Sequence, residues 1–328
     1  MAVGLGGAVL LSSKSTQYPR TSPEAPTPAV ASSDPVIYLS CLEDGVSSAS
    51  KAMLIESALP LFVNGQHWLT VLCTPTQLDH FVIGFLFNEG LIATRDDIVD
   101  LKIGPPPEMA IWVELRKRDV RLPQHPTLTS GCGGGITFVD LAASREPVSS
   151  TLHVTPHRVL HQMACLMAIV ADDYRRVGGF HTAGLSDGQR LLAVATDIGR
   201  HNTLDKIAGE CLARNIAMRE CMLLATGRIS AEMMAKAARM RVPVVVTVNS
   251  PSHLAVELAR SWHITLIGYA QGSKMHVYSG WQRVSGTHAV GGASTAESIS
   301  QKPVSLSPTT SPPLSCLDRP AGRESRLH

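Results

Sequence analysis

Apolar and polar positions along this chain follow two rhythms. Over residues 77–92 apolar side chains recur at Leu78, Phe81, Val82, Phe85 and Leu86, the spacing of an amphipathic helix, with Gly90 near its end. Thr74-Pro75-Thr76 lies just before it and predicts the helix start, with threonine as N-cap and proline in the first turn. Upstream, residues 52–63 and 67–73 flank Asn64-Gly65. Asn-Gly supplies the two positive φ angles of a type I′ turn, so this stretch predicts a β-hairpin. Residues 98–103 and 109–115 read as strands around Gly104-Pro105-Pro106-Pro107.

The second half alternates strands with helices. A helix runs from Thr155-Pro156 to about residue 176. Short strands follow, then a helix over about 203–214. A buried strand over 221–225 leads to a turn with Ser230 as N-cap and a helix beyond it. Residues 242–248 form a strongly β-branched strand. Ser250-Pro251-Ser252 caps a helix over 254–260, and two more strands cover 264–269 and 275–278. Such alternation means a layered α/β fold. Residues 1–35 and 284–328 are rich in Ser, Thr, Pro and Gly and read as disordered tails. The expected organisation is an N-terminal hairpin-plus-helix domain over 36–150 and an α/β domain over 151–283.

The chain has 328 residues, 44% hydrophobic and 17% charged, enough to bury a sizeable core. A net charge of +2 with no basic stripe gives no sign of nucleic-acid binding. No apolar run is long enough to span a membrane, and residues 8–11 are too short for a signal peptide. Seven cysteines with no Cys-x-x-Cys pair argue against a disulfide framework or a zinc site, and for a reducing compartment, the cytoplasm. Cys73, Cys165, Cys211 and Cys221 sit in apolar segments and are expected to be buried.

Cys132 differs from these. It lies in Thr129-Ser130-Gly131-Cys132-Gly133-Gly134-Gly135, where the glycines favour a loop that approaches another molecule closely. A thiol there is either a reactive nucleophile or an incidental residue of a linker. Asp197-Ile198-Gly199-Arg200-His201-Asn202 packs polar side chains at a strand-to-helix turn. Asp197 could cap that helix. Arg200 and His201 oppose the helix dipole, and an anionic ligand would explain them. Thr226-Gly227-Arg228-Ile229-Ser230 is either a second anion-binding turn or an ordinary N-cap. Asn249-Ser250-Pro251-Ser252-His253 makes a third strand-end turn, and Tyr269, Ala270, Gln271, Gly272, Ser273 and Lys274 follow a fourth strand. Tyr269 could stack on a ring and Lys274 could meet a phosphate, or the segment is simply a hairpin turn. His181, in Gly-Gly-Phe-His-Thr-Ala-Gly, could face the same place. Together these turns suggest a long anionic ligand such as a nucleotide, although neither GxxxxGK[ST] nor GxGxxG is present.

Over residues 56–279 the chain resembles the formate dehydrogenase accessory sulfurtransferase family, FdhD. The resemblance is carried by Pro60-Leu61-Phe62-Val63-Asn64-Gly65, Gly84-Phe85-Leu86-Phe87-Asn88-Glu89-Gly90, residues 129–133, 197–206, 226–233 and 268–278. It implies a cytidine-deaminase-like second domain, here without the Cys-x-x-Cys zinc ligands, so neither zinc nor deamination is expected. It also implies that Cys132 accepts sulfur as a persulfide from a cysteine desulfurase. The sulfur passes to molybdenum in bis(molybdopterin guanine dinucleotide), which goes on to formate dehydrogenase, and the protein acts as a homodimer. Residues Tyr269 to Lys274 match the family's cofactor-binding segment, and Arg200, His201, Arg228 and Lys274 are expected to hold the nucleotide ends. Three positions depart from the family pattern. Gly135 stands where many members have a second cysteine, Gln271 where arginine is common, and Thr196 where glutamate is usual. Without a second loop thiol to attack a persulfide, a one-cysteine carrier remains feasible, and so does a cofactor-binding chaperone that moves no sulfur.

Overall fold

The computed structural model describes residues 30–107, 109–122 and 145–286, and the backbone of 127–128 and 136–137. Its first element is an antiparallel ribbon of β1 (Ser32–Leu42) and β2 (Gly45–Leu54), paired from Ser32↔Leu54 to Leu42↔Gly45. The tail boundary expected at residue 35 therefore falls inside β1, whose Val36-Ile37-Tyr38-Leu39 run favours a strand.

The next four strands form a sheet in the order β4-β3-β6-β5: β3 (Ser57–Val63), β4 (Gln66–Cys73), β5 (Ile98–Ile103) and β6 (Ile111–Leu115). The Asn64-Gly65 hairpin is present, with φ of 48° and 78°. Asn64 also ties the turn to the neighbouring strand. Its Oδ1 accepts from the Leu115 amide and its Nδ2 donates to the carbonyls of Lys117 and Arg118. Helix α1 (Leu78–Asn88) covers this sheet.

The start of α1 differs from the expectation. Its N-cap is Gln77, at φ 52° and without a side-chain cap, while Thr74 is drawn into the core of the second unit. The Thr74 amide donates to Asp197 Oδ2, its hydroxyl accepts from the Ile198 amide, and its carbonyl accepts from Lys206 Nζ. A tertiary partner more than 120 residues away has outcompeted the local cap.

Strands β7 (Thr127–Leu128) and β8 (Ile136–Thr137) pair with each other. Cys132 and the glycines between them lie outside the described residues, as do residues 1–29 and 287–328 of the expected tails. Val284, where the second tail was expected to begin, is buried and bridges to Val154.

Helix α2 (Pro156–Arg176) starts as read, with the Thr155 hydroxyl accepting from the Arg158 amide and proline at the first position. A six-stranded sheet follows in the order β10-β9-β11-β12-β13-β14, built from β9 (His181–Ser186), β10 (Leu191–Asp197), β11 (Met222–Ala225), β12 (Val244–Thr247), β13 (Thr265–Gln271) and β14 (Lys274–Ser279). Strands β11, β12 and β13 are parallel, and β9, β10 and β14 are joined to the sheet by antiparallel pairing. Alternate residues face opposite layers. Met222 and Leu224 pack with Val159, Met163 and Leu166 of α2, whereas Leu223 and Ala225 join the larger core on the other face. That face is covered by α3 (Arg200–Ala213), α4 (Ala231–Arg239) and α5 (His253–Ser261). α3 begins three residues earlier than its apolar pattern suggests.

The two units meet where α1 crosses α3. A Cβ on Gly84 would overlap the carbonyl of Asp205, and one on Gly209 would overlap the carbonyl of His80, so the backbones touch. The larger core runs without a break from Leu59 and Phe81 to Leu223 and Leu266. Among the described residues no helix is long and apolar enough to cross a membrane.

Candidate functional site

The parallel strands of the six-stranded sheet all end at one edge, and the turns singled out in the sequence gather there. In open α/β sheets ligands bind outside such carboxyl ends. His181 opens β9 directly opposite Asp197, the last residue of β10. Thr226-Gly227-Arg228 follows β11, Asn249-Ser250 follows β12, and the β13–β14 hairpin carries residues 269–274.

Asp197 is fully buried and does not cap α3, whose N-cap is Gly199 without a side-chain bond. Instead it organises the turn from inside. Its Oδ1 accepts from the Gly199 amide at 2.8 Å and from Asn202 Nδ2 at 2.9 Å. Its Oδ2 accepts from the Thr74 amide and lies 2.7 Å from Lys206 Nζ, with both charged groups sealed from water. Asp197, Asn202 and Lys206 are thus consumed internally.

Arg200 is left over. It is 6% exposed, its guanidinium Nε is sealed from solvent without a hydrogen-bond partner, and no ion pair holds it among the described residues. A buried cation without a counter-ion is costly, so an anion arriving here would relieve it. Gly227 makes the space. A Cβ there would lie 3.0 Å and 3.1 Å from Arg200 Cβ and Cδ and 3.3 Å from His181 Nδ1. Arg228, next in the chain, is exposed. Burial pushes the His181 pKa below the ordinary histidine value, and Arg200 and Arg228 push it further. Both guanidiniums therefore act on this spot.

His201 is 8% exposed, with Nε2 3.2 Å from both Ser230 Oγ and Glu232 Oε2. Its pKa is pushed down to about 2, first by burial, then by Lys236, Arg200 and His181. It is a neutral ring at working pH, not the second cation the sequence suggested. Behind it, Lys236 reaches Asp205 at 2.6 Å and Glu232 at 3.7 Å, and Asp205 also accepts from Asn88 of α1. Burial pulls the Lys236 pKa down, but those carboxylates outweigh it and hold the ammonium above the ordinary lysine value.

Ser230 caps α4 by accepting from the Met233 amide, as read. The segment 269–274 is the hairpin expected as its plainer reading, with Gln271 paired to Lys274 and Gly272 at φ 63°. Gln271, Gly272, Ser273 and Lys274 are exposed, while the Ala270 methyl packs into the core against α2 and leaves only backbone for a ligand. Tyr269 is 40% exposed at φ 52°, a left-handed conformation that is costly for an aromatic residue. Its amide donates to the Asn249 carbonyl and its ring lies 5.1 Å from that of His276. The sequence placed Asp205 one turn on from His201 but missed Glu232 and Lys236 as members of this site. An acid in the first turn of a helix and an i,i+4 acid–base pair look like ordinary solvated features, and only packing reveals them as buried. Of the thiols expected to be buried, Cys73, Cys211 and Cys221 are, and Cys165 is half-buried.

The FdhD/NarQ family model matches residues 54–285. Proteins named Sulfur carrier protein FdhD from Staphylococcus aureus strains MRSA252 and Newman are each 36% identical over 248 residues, covering 74% of this chain and 93% of theirs. Among solved structures, that of a candidate formate dehydrogenase accessory protein from Desulfotalea psychrophila superposes with a TM-score of 0.64. It is 21% identical and covers 77% of this chain and 100% of that one, a likeness of fold.

Proposed function

The chain belongs to the FdhD/NarQ family, and on that footing we propose that it is a sulfur carrier serving the maturation of formate dehydrogenase. In this reading the Cys132 thiolate attacks the sulfane sulfur of a persulfide on a cysteine desulfurase, and the donor thiolate leaves. The persulfide now on Cys132 is the form in which sulfur is carried to the molybdenum of bis(molybdopterin guanine dinucleotide), the substrate. The strand-end turns hold the nucleotide ends of that substrate. Arg200 meets a phosphate, Arg228 and Lys274 add outer charge, and His201 and the 269–274 hairpin contact the remainder. The protein works as a homodimer in the cytoplasm.

The observation that supports this reading best is the buried Nε of Arg200 beside Gly227, in a side chain with no counter-ion among the described residues. A cation held so is prepared for an anionic group.

Gly135 supports a second reading, since a loop with one thiol also suits a chaperone that protects the cofactor and transfers no sulfur. Intact-protein mass spectrometry after incubation with a cysteine desulfurase and cysteine separates the two. The carrier gains one sulfur in wild type and none in Cys132→Ala. No gain in either protein would remove the carrier reading and leave the chaperone.

A further inference from the structure

We infer that His201 offers the bound molecule a hydrogen-bond acceptor, its bare Nδ1, and that Glu232 and Ser230 set this tautomer. The inference rests on the strand-end site described above and specifies what part of the ligand that residue reads. It takes an N–H or O–H donor, such as a base-edge amide or a ribose hydroxyl, and not a phosphate.

The argument begins at Nε2. That nitrogen lies 3.2 Å from a serine hydroxyl and 3.2 Å from a carboxylate oxygen. A bare lone pair cannot face a carboxylate at that distance without repulsion, so Nε2 carries the hydrogen. The Ser230 oxygen receives it, with the Glu232 carboxylate alongside. A neutral imidazole holds one hydrogen only, and Nδ1 is then the acceptor. Nδ1 has no hydrogen-bond partner among the described residues, which leaves it for a ligand.

The ring stays neutral because of what surrounds it. Lys236 approaches from α4, Arg200 precedes it on α3 and His181 faces it from β9, and burial adds to all three. Glu232 lies 3.2 Å from the ring, but Lys236 shares that side chain and is itself held by Asp205. The site therefore combines two chemistries: Arg200 for an anion and His201 for a donor. A nucleotide carries both at separate places on one molecule, whereas a simple phosphate has no base edge or ribose to reach the ring while its anionic oxygens meet Arg200.

Two measurements test this. In protein labelled with nitrogen-15 histidine, the His201 ring, assigned by its loss in His201→Gln, should show hydrogen on Nε2 and no titration between about pH 5 and pH 8. A ring that titrates in that range, or carries its hydrogen on Nδ1, overturns the proposal, and this holds whatever the protein binds. Glu232→Gln removes the carboxylate that excludes the other tautomer, and the ring should then show mixed tautomers. An unchanged spectrum would mean that Glu232 does not position it.

The second measurement compares binding of GDP with binding of inorganic pyrophosphate. His201→Ala should weaken GDP about tenfold, the worth of one neutral hydrogen bond, and leave pyrophosphate within about twofold. Arg200→Ala should weaken both. Equal losses for both ligands in His201→Ala would make His201 an anion contact and overturn the inference. A wild type that binds neither ligand would instead remove the nucleotide-site reading on which it rests.

Discussion

The residues at the strand-end turns contribute to stability, and His201 shows how. Its pKa in the fold lies near 2, below the ordinary histidine value of about 6.5. Below that ordinary value the unfolded chain takes up a proton that the folded chain refuses. Stability from the neutral ring is therefore complete above about pH 6.5 and falls as the pH drops towards the folded value. Between pH 7 and pH 5 the loss should be about 2 kcal/mol. Denaturant unfolding at the two pH values, for wild type and His201→Asn, checks this: the wild type should lose that amount relative to the variant. Parallel pH dependence in both proteins would mean that the ring is protonated in the fold. At this scale the sequence was partly legible. The Arg200-His201 pair stood out because two basic residues at a helix N-terminus oppose its dipole. That one is a cation and the other a neutral ring follows from burial, which no run of letters records.

At the level of elements, the crossing of α1 and α3 decides how the two units fit. Gly84 and Gly209 let the backbones touch, and no side chain of any size fits between them. Gly84→Ala should cost about 3 kcal/mol or more, because the methyl would drive a backbone carbonyl away and overpack the interface. A urea denaturation midpoint equal to wild type would show that the helices can separate without loss. The helix at residue 78 was legible from its apolar spacing, and the Asn64-Gly65 hairpin from its turn chemistry. The helix start was not, because Thr74 had a remote partner in Asp197 that outcompeted the cap. The β1–β2 ribbon was also missed. Its apolar residues, among them Ile37 at 76% and Leu39 at 70% exposure, do not alternate between a wet and a dry face, so the period-two signal is weak.

For the whole molecule, the larger core and the buried ion pairs bind the two units into one body. Asn88 of α1, Asp205 of α3 and Lys236 of α4 form one buried chain, and Asp197, Lys206 and Thr74 form another. Breaking one partner of a buried pair strands the other charge, at a cost of about 3–5 kcal/mol. Differential scanning calorimetry should therefore show a single transition in wild type, and Lys236→Met should lower it without splitting it. Two resolved transitions in either protein would mean that the units unfold separately.

The order of strands and helices, the hairpin turn, most helix caps and the strand-end turns were set by local sequence. Periodicity, Asn-Gly, Thr-Pro and Ser caps act over a few residues and need no distant partner. The fate of each polar group in those turns was decided only by the tertiary structure. Asp197 became an internal brace, His201 a neutral ring and Arg200 a buried cation with no counter-ion among the described residues. The physical reason is that ionisation and hydrogen bonding depend on what lies across the sheet and between the helices. Those neighbours come from residues 74–88, 181 and 230–236, which the chain brings together only when it folds.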